Sequence, residues 1–160
     1  MLSRIAATGA TLAFLLAVPR EAIACECISV GTREEQYSAY RGMIVVGRVV
    51  KLELLPNSNV LRVELRVAHV LRGTWTQDTM TGYAGLGASC LGSDFRIGQE
   101  YAVFPGQLSS VADFVRHGLL NLPSEGLWFG GICGGGYTLD LRVPNDVEML
   151  RKVEASLPPR

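Results

Sequence analysis

The chain has 160 residues, four cysteines, and 15 basic against 15 acidic side chains, for a formal net charge of zero. Nearly half of it is hydrophobic, which excludes a disordered segment. Balanced charge excludes a basic nucleic-acid footprint.

The first 24 residues read as an export leader. Arg4 precedes an apolar run over 5–18, then Pro19-Arg20-Glu21 and the small-residue site Ala22-Ile23-Ala24. That run is short for a membrane helix, which needs about 20 apolar residues, and charges or glycines interrupt every later run. The expectations are a signal peptide over 1–24, a secreted or periplasmic protein without a membrane span, and one domain over 25–160. Cleavage after Ala24 makes Cys25 the first mature residue. An uncleaved anchor and lipid attachment at Cys25 are the minor alternatives.

Cys25, Cys27, Cys90 and Cys133 all fall in the mature part, and an even count in an oxidising compartment reads as two disulfides. Pairing Cys25 with Cys27 closes a small, strained ring. The other two pairings both tie the N-terminus to distant chain. A four-cysteine zinc site is disfavoured by the leader and by the C-x-C spacing.

Thr32-Arg33-Glu34-Glu35 fits a capping box. It opens a short helix through Gln36, Tyr37, Ala39 and Tyr40, with Gly42 suited to its end. The β-branched run over 43–54 predicts a long strand, with a bend or bulge at Gly47. Pro56-Asn57-Ser58-Asn59 is a turn. Val63, Leu65 and Val67 then alternate in a hairpin partner running to about Leu71, and His69, on the same alternating face, is expected to be partly buried.

After the break at Arg72-Gly73-Thr74 come a weaker strand over 79–83 and the loop Gly85-Leu86-Gly87 leading to Cys90. A strand over 100–104 is stopped by Pro105-Gly106. A short helix is one reading of 110–117, and 127–132 and 137–141 suit strand or extended structure. Asn145-Asp146-Val147-Glu148 opens a last helix with a capping pattern, an apolar stripe of Val147, Leu150 and Val153, and a stop at Pro158-Pro159. The fold class predicted is all-β: a small five-stranded barrel with short flanking helices.

The mature Cys-x-Cys start, the short helix, Val46-Gly47-Arg48-Val49, Ser89-Cys90, the Gly-x-x-Tyr-x-Val-Phe run over 98–104 and the late Cys133 together resemble a netrin-like domain. The likeness is to the inhibitory domain of tissue inhibitors of metalloproteinases, in a short bacterial-type form, and covers Cys25 to about Leu157. It implies an OB-type five-stranded barrel and the pairings Cys25–Cys90 and Cys27–Cys133. It further implies inhibition of a zinc metalloendopeptidase, with the α-amine and carbonyl oxygen of Cys25 on the protease's catalytic zinc. Glu26 would enter the specificity pocket, with Ala88 and Ser89 beside it on the contact ridge. The animal inhibitors carry a small hydroxyl residue where this chain has Glu26, so the resemblance points to a target with a basic pocket. Their third disulfide and cysteine-rich C-terminal domain have no counterpart here.

Other readings stand beside this one. Cys25-Glu26-Cys27 also serves as a plain staple in a non-inhibitory netrin-like module, and a redox C-x-C would need a depressed thiol pKa that no basic neighbour supplies. His69 and His117 lack ligand-spaced partners. Gly130-Gly131 and Gly134-Gly135-Gly136 lack the Lys-Ser/Thr of a phosphate loop and suit tight turns. Trp75 and Trp128 are expected in packing. No nucleophile elbow is present, so the chain is expected not to be an enzyme, to carry no cofactor or metal of its own, to bind no nucleic acid, and to act as a monomer.

Overall fold

A computed structural model describes residues 32–86, 94–107, 123, 125–130 and 136–158. The expected signal peptide, all four cysteines, Glu26, Ala88, Ser89, His117 and the 110–117 helix lie outside the described residues.

Helix α1 (Arg33–Ala39) leads into β1 (Ile44–Leu54) and β2 (Val60–Arg72), then β3 (Thr79–Gly85), β4 (Glu100–Phe104), β5 (Gly106–Gln107), β6 (Leu127–Trp128), β7 (Tyr137–Asp140) and helix α2 (Pro144–Ala155). The strands form one sheet in the order β5-β6-β3-β2-β1-β4-β7. Pro105 alone separates β4 from β5, yet β5 stands at one end of that order and β4 near the other. The same stretch of chain therefore pairs with β1 and β7 in its first half and with β6 in its second. This rolls the sheet into a nearly closed barrel and removes most of its open edge.

The expectation of five strands is corrected: the described residues form seven, of which β5 and β6 have only two residues each. In the expected 127–132 strand, only Leu127 and Trp128 pair.

Two apolar layers follow from the period-2 alternation of the strands. Val45, Val49, Val63, Leu65, Met80, Tyr101, Val103, Phe95 and Phe129 fill the barrel. Ile44, Val46, Ala102, Phe104 and Leu139 face outward beneath Tyr37 of α1 and Leu150 and Val153 of α2. The start of β1 is buried on both faces for this reason. Gly82 lies flat against the Phe129 ring, where a Cβ would sit 2.4 Å from Cζ.

The β1–β2 ladder is interrupted three times. One interruption lies between Val46 and Gly47, as the glycine predicts, and a Cβ on Gly47 would meet the Arg66 carbonyl oxygen at 2.9 Å. There Val46 pairs with His69 and Gly47 with Val67, so Ala68 is the extra residue. The bulge inverts the alternation: Val70 packs against the core and His69 is exposed, which corrects the expectation that His69 is partly buried. The turn at 56–59 is present, with Asn57 at a φ of 54° and the Ser58 hydroxyl donating to the Leu55 carbonyl at 3.0 Å.

The capping box at Thr32 forms in both directions. Gly42, however, is not a left-handed cap. Its Cα hydrogens face the Tyr40 ring, and a Cβ would lie 2.3 Å from the phenolic oxygen. The last helix also starts differently: Pro144 is its first residue and Val143, which caps with no side chain, precedes it.

Asp146 is instead turned inward, only 7% exposed. Its Oδ2 accepts the Asp140 main-chain N–H at 2.8 Å. Its Oδ1 accepts from Nη2 of Arg33 at 2.7 Å. One carboxylate thus joins α1, the end of β7 and the first turn of α2, where the helix dipole also favours a negative charge. Hydrogen bonds to a charged acceptor contribute about 1.5–3 kcal/mol each when the geometry is good. Asp146→Ala is expected to cost about 2–3 kcal/mol, read as a lower urea midpoint at unchanged slope, with Asp146→Asn intermediate. An unchanged midpoint would contradict this role.

Candidate functional site

Cys25, Glu26, Cys27, Ala88, Ser89, Cys90 and Cys133, the residues singled out from sequence, all lie outside the described residues. The described residues do define where the segments carrying them attach to the barrel.

The N-terminal segment joins at Thr32, five residues after Cys27, a reach of up to about 17 Å. A seven-residue helix is marginal alone, so α1 depends on its contacts. Besides Arg33–Asp146, Glu34 meets Lys152 of α2 at 2.8 Å. The Tyr37 ring stands edge-on to Phe104 with centroids 5.0 Å apart, and its hydroxyl donates to the Thr138 carbonyl at 3.3 Å. These fix α1 across β4, β7 and α2.

Leu86 and Gly130 are the last described residues before Cys90 and Cys133. β3 and β6 are parallel neighbours in register at Tyr83 and Trp128, and Phe129 N–H donates to the Tyr83 carbonyl at 2.7 Å. Both strands therefore point the same way, and Leu86 and Gly130 sit at the same end of adjacent strands. Trp128 is fully buried, as its packing role predicts, and its indole N–H has no acceptor among the described residues. Trp75 packs against the barrel core and donates to the Thr79 carbonyl at 3.1 Å.

The chain returns to the barrel at two pinned points. Phe95 is buried against the Tyr101 ring, with centroids 4.8 Å apart. The Tyr101 hydroxyl donates to the Asp94 carbonyl at 2.8 Å and accepts the Arg96 N–H at 3.0 Å. Gly136 is buried where a Cβ would come within 2.4 Å of the Trp128 carbonyl oxygen, so only glycine lets the chain enter β7 there.

The electrostatics are structural in character. Hydrogen bonding from Arg142 holds the Asp140 carboxyl below its ordinary range. Burial raises the phenols of Tyr37 and Tyr101, and burial pushes Tyr40 up to about 12 against the opposing pull of Arg72. No group of three or more His, Cys, Asp or Glu able to hold a metal occurs among the described residues, and none of their helices is long and apolar enough to cross a membrane. The joint at Asp146 was missed from sequence, because an aspartate in the first turn reads as an ordinary capping residue. Its signal was Arg33, a lone cation in a first turn otherwise acidic.

No protein-family model matches the chain, and no curated protein is similar enough to it to count as a match.

Tyr40 yields a pH test. Its hydroxyl donates to the Pro105 carbonyl at 2.7 Å across the β4–β5 bend. With a folded-state pKa raised from 10.0 to about 12, its contribution is full below pH 10 and is lost as pH rises through 12. Thermal melting should therefore fall over that window. Tyr40→Phe should lower stability at pH 8 and flatten the alkaline decline, whereas an unaltered decline would assign it elsewhere.

Proposed function

We propose that this chain is an exported netrin-like module, with an OB-type barrel, that inhibits a zinc metalloendopeptidase through its mature N-terminus. The observation that carries the reading is Cys25-Glu26-Cys27 directly after a leader-like segment and five residues ahead of a helix fastened to the barrel. The parallel ends of β3 and β6 add support. Cys90 and Cys133 follow Leu86 and Gly130 by four and three residues. Starting from one end of the barrel is what two bridges to cysteines a single residue apart require. The pairings proposed are Cys25–Cys90 and Cys27–Cys133.

The chemistry is compact. A catalytic zinc keeps one position for water or substrate. The α-amine of Cys25, with an ordinary pKa of about 7.7–8.0, has an accessible neutral form that can bind zinc together with the carbonyl oxygen of the same residue, displacing that water. Two disulfides would preorganise this chelator, so less freedom is lost on binding. Glu26 would enter the protease's specificity pocket and be stabilised there by a basic residue. Ala88 and Ser89 would flank it.

Extending the mature protein by one alanine before Cys25 moves the amine off the metal and leaves the barrel untouched. Inhibition should fall on the order of 100-fold or more, the loss typical of a dominant contact, with melting unchanged. Undiminished inhibition by the extended form would exclude the mechanism. Failure of the unextended protein against a panel of zinc proteases would leave a binding module that inhibits none of them.

A further inference from the structure

Past Val49, the edge of β1 turned away from β2 has no partner strand among the described residues. β4 pairs only with Val45, Val46, Gly47 and Arg48. The last bonds on that side are Val49 N–H to the Gln99 carbonyl at 2.9 Å and Gly98 N–H to the Val49 carbonyl at 2.8 Å. β2 continues beside β1 as far as Leu54.

The phase of the ladder says which groups face outward. Leu55 N–H donates to the Val60 carbonyl at 2.9 Å. In an antiparallel pair the bonding residues alternate, so Glu53 and Lys51 direct their main-chain groups at β2, and Leu52 and Leu54 direct theirs at the open edge. Leu86 N–H donating to the Asn59 carbonyl at 2.7 Å keeps the same phase on the far side of β2. The edge is also apolar in places: Leu54 is 54% exposed, and Ile97, in the turn beside Val49, is 63% exposed.

The order of side chains along this edge complements itself. In Val50-Lys51-Leu52-Glu53-Leu54, a two-fold axis at Leu52 sets Lys51 opposite the partner's Glu53 and Glu53 opposite the partner's Lys51. The two Leu52 residues form the central pair and exchange both main-chain bonds, and Leu54 lies opposite the partner's Val50. Opposite charges directly across a strand pair are stabilising and like charges destabilising. Lys51 and Glu53 are both exposed and already lie within 3.2 Å of each other in one chain, so neither has a deep desolvation cost to meet.

We propose that the 51–54 edge of β1 pairs antiparallel with the same edge of a second copy of this chain, about an axis at Leu52. The pair replaces the monomer expected from sequence and does not rest on the protease reading. It closes on itself as an isologous contact. The bulge where Val50 is the extra residue between Val49 and Lys51 limits the free ladder to a few residues, so pairing stops at two copies.

Sedimentation of the exported chain over a concentration series tests this. A small interface of this kind gives a dimer at about 100 μM that dissociates on dilution toward about 1 μM. K51E sets Glu opposite Glu at both outer positions and should be monomeric throughout, as should E53K. The double variant K51E/E53K restores the complement and should restore the dimer. Circular dichroism checks that each variant is folded. Should one fail to fold, amide exchange on the unaltered chain decides: the Leu52 and Leu54 N–H groups should be protected at 100 μM and lose protection on dilution. A wild type that stays monomeric at 100 μM, a dimer that survives K51E, or a double variant that stays monomeric would each overturn the proposal.

Discussion

The carboxylate of Asp146 holds together three parts of the chain that sequence keeps far apart. Arg33 lies 113 residues before it and Asp140 six. Burying a charge is costly unless its oxygens are used, and here each is bonded. Once that joint is made, α1 and α2 share one apolar seat on the outer face of β1, β4 and β7, and Tyr37, Leu150 and Val153 complete the second core layer. The helices have little else to hold them: α1 has seven residues and α2 lacks a side-chain cap. The path from the N-terminal segment to the barrel runs through this contact.

On the other side of β1, packing and backbone do the equivalent work. Phe129 lies on Gly82, Gly136 admits the chain beside Trp128, and Tyr40 reaches across to Pro105. These contacts pull β5, β6 and the start of β7 together and roll the sheet nearly closed. They involve residues distant in sequence whose only local sign is a glycine or an aromatic. A periodicity argument finds the strands and not the seam between them.

Strand positions were legible where alternation was long. The runs that became β1, β2 and β4 carry enough β-branched and alternating residues to be read directly, as do the capping box at Thr32 and the turn at 56–59. What alternation cannot show is a bulge, and the extra Ala68 reverses the face of everything after it, which is how His69 came to be exposed. Two-residue strands such as β5 and β6 carry no period at all and follow from tertiary pairing alone. Gly42 and Asp146 were read as local cap residues, and each proved to serve a long-range contact: an aromatic ring in one case, an arginine and a strand end in the other. The candidate site was legible only as covalent chemistry, in the placement of four cysteines and a leader. The described residues contribute its attachment points: a helix clamped beside the N-terminal segment and two parallel strands that end together.

The central claim is that a free, unmodified Cys25 begins a chain whose four cysteines are paired. Intact mass of the exported protein, measured before and after reduction, tests it most directly. The account predicts a chain starting at Cys25 with no added group and a gain of four hydrogens on reduction, one for each cysteine. A start at any other residue, a lipid on Cys25, or thiols already free before reduction would contradict it.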